Sequence, residues 1–565
     1  LACSSMHPSR TRRPATRAAA AFSVLCLVAS CAANPGPPPL VEPEDRPDAV
    51  SEHDADNGDS GSASGADNAE EQGTNQEPAN GRPQAQIGVD PVRAGFNPHL
   101  VGDESAVVRG IADLVLPSAF QADGAKDPNL LVGASVLPTS PGAFTVRYVI
   151  APNAQWSDGT PITGADFAYL WRGMTKTAGV VDPAAYRAVS NVRVSGPGGK
   201  VVDVDFAQPV ADWKVLFRHL LPSHLLAADA ADFAYALRNT VPASAGRYLV
   251  RSVDRAHGTV TLNRNDRFWG PDPAPIDILT LAAARDTTQV ADQLRSGQLA
   301  FVDMVPQDTT EDVLGLIPGA DTRTFAGTRT LGVTLSATSG LSAQARAEVR
   351  SLIDVPLLAH IAARRSTNVH AAAPTEPGSL ALLHALAADG KVLRVAADAA
   401  DPAATAAARS LVDLLDAAGV PARIVANELP AIAARSLPAG EVDVVVHWRN
   451  DGDSADTLAS RIACPTETGR AGNLAGFCSA AGDELARAIL AGEIPPAAAA
   501  ERAAAVEHRE ALWVPLLHET RLAATAGGVR AAGTQPGQWP GGLSSAGKWK
   551  LADTVKRRSK IQEVP

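Results

Sequence analysis

The spacing of apolar positions changes period several times along the chain, most clearly between residues 144 and 174. Phe144-Thr145-Val146-Arg147-Tyr148-Val149-Ile150 carries β-branched and aromatic residues at strand density, with Phe144, Val146 and Tyr148 on one face and Thr145, Arg147 and Val149 on the other. That alternation predicts a half-buried strand. In Trp156-Ser157-Asp158-Gly159-Thr160-Pro161, Asp-Gly suits a turn with positive φ and Pro161 stops the strand. Thr163 and Asp166 have the spacing of a capping box, and Phe167, Leu170, Trp171 and Met174 then recur at i, i+3, i+4 and i+7, so a helix with one apolar stripe is predicted.

The same reading predicts an opening strand at 87–89, a strand at 201–206 and an amphipathic helix over 212–221 that ends at Pro222. Strands at 276–281 and 299–304 flank a helix over 287–296 closed by Gly297, which makes a βαβ unit. From Lys391 the pattern is a strand at 392–396, a helix capped by Asp401 with Pro402 at its first position and Leu411, Leu414 and Leu415 facing inward, and strands at 423–426, 442–447 and 513–517. Alternating β and α segments predict an open, largely parallel sheet, and in such sheets ligands collect beyond the carboxyl ends of the strands.

Length and charge change the picture mainly at the two ends. With 565 residues the chain has room for two or more domains. Arg10, Arg12, Arg13 and Arg17 precede an apolar run from about Ala18 to Ala29, followed by Ser30-Cys31: a basic region, a short apolar region and small residues before a cut. That is a secretory signal, too short to span a membrane. Small residues directly before a cysteine resemble a lipobox, which implies cleavage before Cys31 and its lipidation. Leu1 as first residue suggests an over-extended start, and Met6 would leave the same signal intact. Residues 32–86 are Pro-rich, then rich in Asp, Glu, Ser, Gly and Asn, and hold much of the net charge of -11, so a solvated linker is predicted, reaching roughly 40 Å as a coil. Nucleic acid is not an expected partner. Of the five cysteines, two precede the expected cut and Cys31 takes lipid, which leaves Cys464 and Cys478 to form one disulfide in an oxidising compartment.

Trp156-Ser157-Asp158-Gly159-Thr160-Pro161-Ile162-Thr163 with Asp166-Phe167 behind it resembles the signature of the large bacterial extracellular solute-binding proteins of the dipeptide and oligopeptide receptor type. Asn97-Pro98-His99, Arg264-Asn265-Asp266-Arg267-Phe268-Trp269-Gly270 and Gly246-Arg247-Tyr248, standing where the family has Gly-Pro-Tyr, are similar to further family positions. Leu114-Val115-Leu116-Pro117, Tyr169-Leu170-Trp171, Gly179-Val180-Val181-Asp182-Pro183 and Val446-His447-Trp448-Arg449 with Cys464-Pro465 downstream resemble, more narrowly, an actinobacterial lipoprotein branch connected with monoacyl phosphatidylinositol tetramannoside and lipoarabinomannan synthesis. The resemblance implies an α/β, two-lobed class II periplasmic-binding-protein-like fold whose lobes close by a hinge over a cleft. The expected division is signal peptide 1–30, linker 31–86, first lobe 87–390 with an inserted subdomain at about 121–255, second lobe 391–505, and a return to the first lobe with a basic tail over 506–565.

Chemistry concentrates at Trp448-Arg449-Asn450-Asp451-Gly452-Asp453, read as a loop after a strand. A tryptophan face can stack on a sugar ring or acyl chain, an arginine fork can hold phosphate, and carboxylates can accept from hydroxyls or an ammonium. The bland alternative is a solvated loop with Trp448 filling a core position. Receptors of the family hold the peptide's amino terminus with an aspartate in this region, a role the resemblance would give to Asp451 or Asp453. Trp156 and Asp158 are read as structural, and His219 and His224 are not expected to bind metal. No Gly-rich phosphate loop, zincin helix or Gly-x-Ser-x-Gly elbow is present, so no catalytic residue, cofactor or metal is expected. Three functions stay open: a lipid-anchored binder of a phosphatidylinositol mannoside that serves later mannosyltransferases, a peptide receptor for an ABC permease, and an envelope scaffold. A monomer is expected in each.

Overall fold

In the computed structural model, residues 81–138, 144–226, 233–465, 472–530 and 542–552 are described. The expected signal, Cys31, the linker to residue 80 and the basic tail at 556–558 lie outside the described residues. The central stretch folds as its pattern dictates. Strand β3 (Phe144–Ile150) lies between β2 (Leu131–Val136) and β5 (Val201–Phe206), and β4 (Val189–Ser195) completes a four-stranded antiparallel sheet. Gly159 takes φ 92 in the turn. Both arms of the capping box form at Thr163 and Asp166, and helix Gly164–Lys176 buries Phe167, Leu170 and Met174, with Trp171 half-buried.

The second sheet has ten strands. Besides β1 (Gln84–Val89), it contains β6 (Tyr248–Asp254), β7 (Thr259–Arg264), β8 (Ile278–Ala283), β9 (Phe301–Met304), β10 (Asp321–Leu335), β11 (Leu393–Asp398), β12 (Ala422–Asn427), β13 (Val444–Asn450) and β14 (Trp513–Thr525). Their order is β12-β11-β13-β10-β14-β9-β1-β8-β7-β6. The βαβ unit is present, with β1 inserted between its strands and parallel to both, and Gly297 closes helix Thr287–Ser296 at φ 75. Strands β11, β12 and β13 are mutually parallel, whereas β10 runs antiparallel to β13 and to β14.

The long strands β10 and β14 pass through both halves of this sheet. Their pairing breaks between Ala326↔Thr520 and Thr330↔His518, where 327–329 face the single residue Glu519. Such a bulge bends a strand pair and interrupts its ladder. On one side of it, a core containing Val146, Tyr148, Phe167 and Phe301 forms the first lobe. On the other, Leu331, Val333, Val395, Leu411, Val444 and Leu516 build the second.

Three sequence expectations need correction. Residues 212–221 are not a helix: only Trp213–Val215 makes a 3-10 turn, and Phe217 and His219 take φ 58 and 50. Tertiary contacts override the helical period there. The Phe217 ring centroid lies 4.9 Å from Phe167 and 5.3 Å from Tyr148, its N–H donates to the Tyr186 hydroxyl at 2.8 Å, and the His219 N–H donates to Ser118 Oγ at 2.9 Å. Second, helices Ala343–Ser351, Val355–Ala363 and Ala381–Ala388 pack in the second core, while Ala455–Ile462, Ala480–Leu490 and Pro496–Arg509 pack in the first, so a division at 390 and 505 does not follow the cores. An apolar stripe shows that a helix has a buried face, but not which sheet covers it. Third, Trp448-Arg449-Asn450 belong to β13 and are not a loop.

Gly246 shows why the Gly-Arg-Tyr motif keeps its first residue. Its N–H and that of Ala245 both donate to Val115 O, at 3.0 and 2.8 Å, and a Cβ here would sit 2.1 Å from Leu114 O. Because the obstacle is backbone, Gly246→Ala is expected to cost about 1–3 kcal/mol. Gly133→Ala, with nothing within 4 Å, should stay within about 0.5 kcal/mol of wild type. Urea midpoints of the two variants check this, and equal midpoints would contradict the packing argument.

Candidate functional site: the cleft between the lobes

A cavity of about 710 Å³ lies where the two halves of the ten-stranded sheet meet. The first lobe contributes the chain after β1 (90–105), Ala284-Arg285 and the loop after β9 (304–309). The second contributes 362–365 and 401–404, and the strand residues His447, Trp448, Leu517, Glu519 and Thr520 line the wall between them. Segments from both lobes touch across it. Arg93 pairs with Asp401, which also caps helix Pro402–Ala417 by accepting from Ala403 N and Ala404 N at 2.9 Å each. Arg365 donates to Pro306 O at 3.1 Å, and Ser366 N donates to Asp308 Oδ1 at 2.6 Å.

A chain of buried charges runs along the β10–β14 crossing. Arg521, 5% exposed, meets Asp303 at 2.7 Å, Asp90 at 2.8 Å and Glu519 at 3.6 Å. Glu519 meets Arg329 at 2.7 Å, and Arg329 donates to Glu104 O at 2.9 Å. Burial alone would raise the Glu519 carboxyl, but Arg329 and Arg521 outweigh it and hold the pKa below the usual range. The Arg329 guanidinium also stands 5.1 Å from the centroid of the Trp448 ring.

Seven carboxylates and five arginines line the cavity, so its wall is acidic by count. Each of those carboxylates has a partner within the fold. Asp90, Glu104, Asp401 and Glu519 are paired with arginine. Asp103, Asp308 and Asp398 accept from the backbone N–H groups of Gly95, Ser366 and Ala400. Arg285 and Arg364 have no carboxylate partner among the described residues, and they enter from opposite lobes.

The expected site residues separate here. Trp448 lines the cavity and rests against the second core. Its strand is fixed beside it by His447, which is buried with its pKa lowered to about 4 by that burial, and whose Nδ1 donates to Trp448 O at 2.9 Å. Arg449 is committed elsewhere: its guanidinium pairs with Glu507 and stacks 4.1 Å from the Trp513 ring centroid. Asn450 lies 3.4 Å from Asp182 Oδ2 and lines a smaller adjoining cavity with Arg449. Asp451 and Asp453 line neither cavity. Asp451 accepts from Thr330 Oγ1 beside His518, on an exposed edge. Cys464 and Cys478 are joined. Trp156 is a buried indole, while Asp158 accepts from Thr160 N at 2.8 Å and pairs with His224, so both serve the turn.

The sequence reading missed Arg329, Arg285, Arg364 and Asp182. Only Asp182 had a signal, its place in the Gly179–Pro183 motif, since a lone arginine in a strand or loop carries no periodicity.

A cleft between two lobes joined by two crossing strands, with an aromatic face and two arginines that have no carboxylate partner among the described residues, is the architecture of a hinged ligand-binding protein. Comparison with known proteins places it more closely. Residues 132–350 match the family described as bacterial extracellular solute-binding proteins, family 5 Middle. The chain is 32% identical over 453 residues to the probable monoacyl phosphatidylinositol tetramannoside-binding protein LpqW of Mycobacterium tuberculosis, covering 68% of this chain and 70% of that one. Among solved structures, the oligopeptide-binding protein AppA from Bacillus subtilis in complex with a nonapeptide superposes with a TM-score of 0.64 at 13% identity, over 83% of this chain and 99% of that one. The oligopeptide binding protein from Thermus thermophilus complexed with a pentapeptide gives 0.62 at 14% identity, over 83% and 96%. This chain belongs to family 5 of the bacterial extracellular solute-binding proteins. Its fold is the α/β two-lobed one with hinge and interlobe cleft.

Proposed function

We propose that this protein is a lipid-anchored, extracytoplasmic solute-binding protein whose cleft takes a phosphatidylinositol mannoside intermediate and controls its access to later mannosyltransferases. The observation that carries this reading is the pairing pattern in the cavity wall. Carboxylates that already have partners can still accept from sugar hydroxyls, because an ionised carboxylate offers about four lone-pair sites. Arg285 and Arg364, without carboxylate partners among the described residues, suit a phosphate. Trp448 offers a face to a sugar ring. The aspartates that the family resemblance would give to a peptide's amino terminus, Asp451 and Asp453, do not line the cavity. The name borne by the mycobacterial relative supports the same substrate class.

Native mass spectrometry of the soluble domain, from about residue 81 and purified from its own envelope, should show a co-purifying mannosylated phosphoinositide. Trp448→Ala should weaken its retention by more than roughly tenfold, since stacking and burial together contribute about 1.5–3 kcal/mol. A ladder of peptides would instead mean a transport receptor, and an empty cleft a scaffold. Wild-type retention by the Trp448 variant would remove Trp448 from the site.

A further inference from the structure

The smaller cavity, of about 40 Å³, shares Val101, Glu104, His447 and Trp448 with the wall of the large one. Its polar lining also includes Asp182, Arg449, Asn450 and Arg461. Asp182 is held at φ 44, in the left-handed region that a residue with a Cβ enters only at a cost. Thr457 Oγ1 donates to its Oδ2 at 2.8 Å, and Asn450 Nδ2 approaches the same oxygen at 3.4 Å. Oδ1 has no donor among the described residues. Burial pushes the Asp182 carboxyl up, against the pull of Thr457 and Arg461.

Two donors face the opposite shortage. The Nε of Arg449 and the Nε of Arg461 are buried without an acceptor. Their terminal nitrogens are used: Arg449 on Glu507, and Arg461 Nη2 on Asn450 O at 2.8 Å and Gly452 O at 3.0 Å. Both arginine side chains line the cavity as cations, while each Nε is closed off from it. The void is larger than the roughly 10–15 Å³ that one water requires.

An occupant must therefore donate to the open Asp182 oxygen without placing a cation beside two arginines or an anion beside two carboxylates. An ammonium can only donate and would face two arginines, whereas a phosphate can only accept and would face Asp182 and Glu104. A hydroxyl does both without bringing charge. We infer that this cavity is a subsite for the hydroxymethyl group of a hexose, with Asp182 as its acceptor and the sugar ring lying against Trp448. Which hexose enters rests on the mannoside reading above.

The test is calorimetric titration of methyl α-D-mannopyranoside and its 6-deoxy analogue into wild type and Asp182→Asn. Asparagine tolerates the left-handed region, so the variant should keep the fold and its unfolding midpoint. Asp182→Asn is expected to weaken the glycoside at least tenfold. Loss of the 6-hydroxyl should weaken wild type by a similar factor and add nothing in the variant, because the two changes remove one interaction. A 6-deoxy sugar bound by wild type as well as its parent overturns the proposal, even if the variant fails to fold. So does a crystal of the glycoside complex with water only in this cavity, or no binding at millimolar concentration. A mannosylated phosphoinositide retained equally by both proteins would overturn the subsite and leave the mannoside reading standing. Glycoside binding that needs Asp182, in a protein that retains no phosphoinositide, would uphold the subsite and remove that reading.

Discussion

Arg521→Met should unfold at markedly lower denaturant, losing about 3–5 kcal/mol, the largest single effect expected in this molecule. Three carboxylates, Asp303, Asp90 and Glu519, surround that guanidinium, and the Glu519 side chain is 1% exposed. Methionine keeps the volume and removes the charge, which leaves the acids to face one another in a poorly solvated place. The pH dependence separates this cause from a packing defect. Glu519 titrates below its ordinary value of 4.5 in the folded protein, so its contribution is fully present above that value and lost as pH falls through the folded pKa. The gap between wild type and variant should therefore narrow on acidification. Urea curves at neutral pH and at successively lower pH below 4.5 check both parts, and a gap that stays constant across that range would point to packing.

The second large effect should come from opening the disulfide. Cys464 and Cys478 close a loop of sequence separation 14, for which the chain-entropy account gives about 3 kcal/mol. The double variant Cys464→Ser/Cys478→Ser should lose that amount in denaturant unfolding, and wild type should match it under reductant. Gly472 and Leu474 lie within this loop and line the smaller cavity. Retention of the ligand should fall with the stability. Stability unchanged by reductant would show that the packing of Leu474 alone holds the loop.

Local chemistry was readable wherever one segment determines its own conformation. Strand β3, the Thr163–Asp166 capping box, the Asp401-Pro402 helix start and the Gly297 stop all appear where their residues put them. The pattern failed at residues 212–221, where contacts with rings distant in sequence, Tyr148, Phe167 and Tyr186, pull Phe217 out of a helix. The site was legible in part. Trp448 could be picked out because an aromatic stood near a strand end beside charged residues. Arg449 and Asp451 looked equally suitable, yet Glu507 and Thr330, remote in sequence, had already engaged them. What makes a polar side chain available is the absence of a partner in space, and no spacing in the chain encodes that.

The interrupted ladder at 327–329 would also set an order of events in closure. If the lobes turn about that break, it is a fulcrum, and displacement grows with distance from it. Trp448, paired with Leu331 two positions from Arg329, sits on the short arm and scarcely moves. Arg93 and Asp401, on segments outside the crossing strands, sit on the long arm and part first. On that lever an arriving ligand would meet a preset aromatic floor while the rim is still open, and the rim would shut afterwards, which would divide capture and retention between two places.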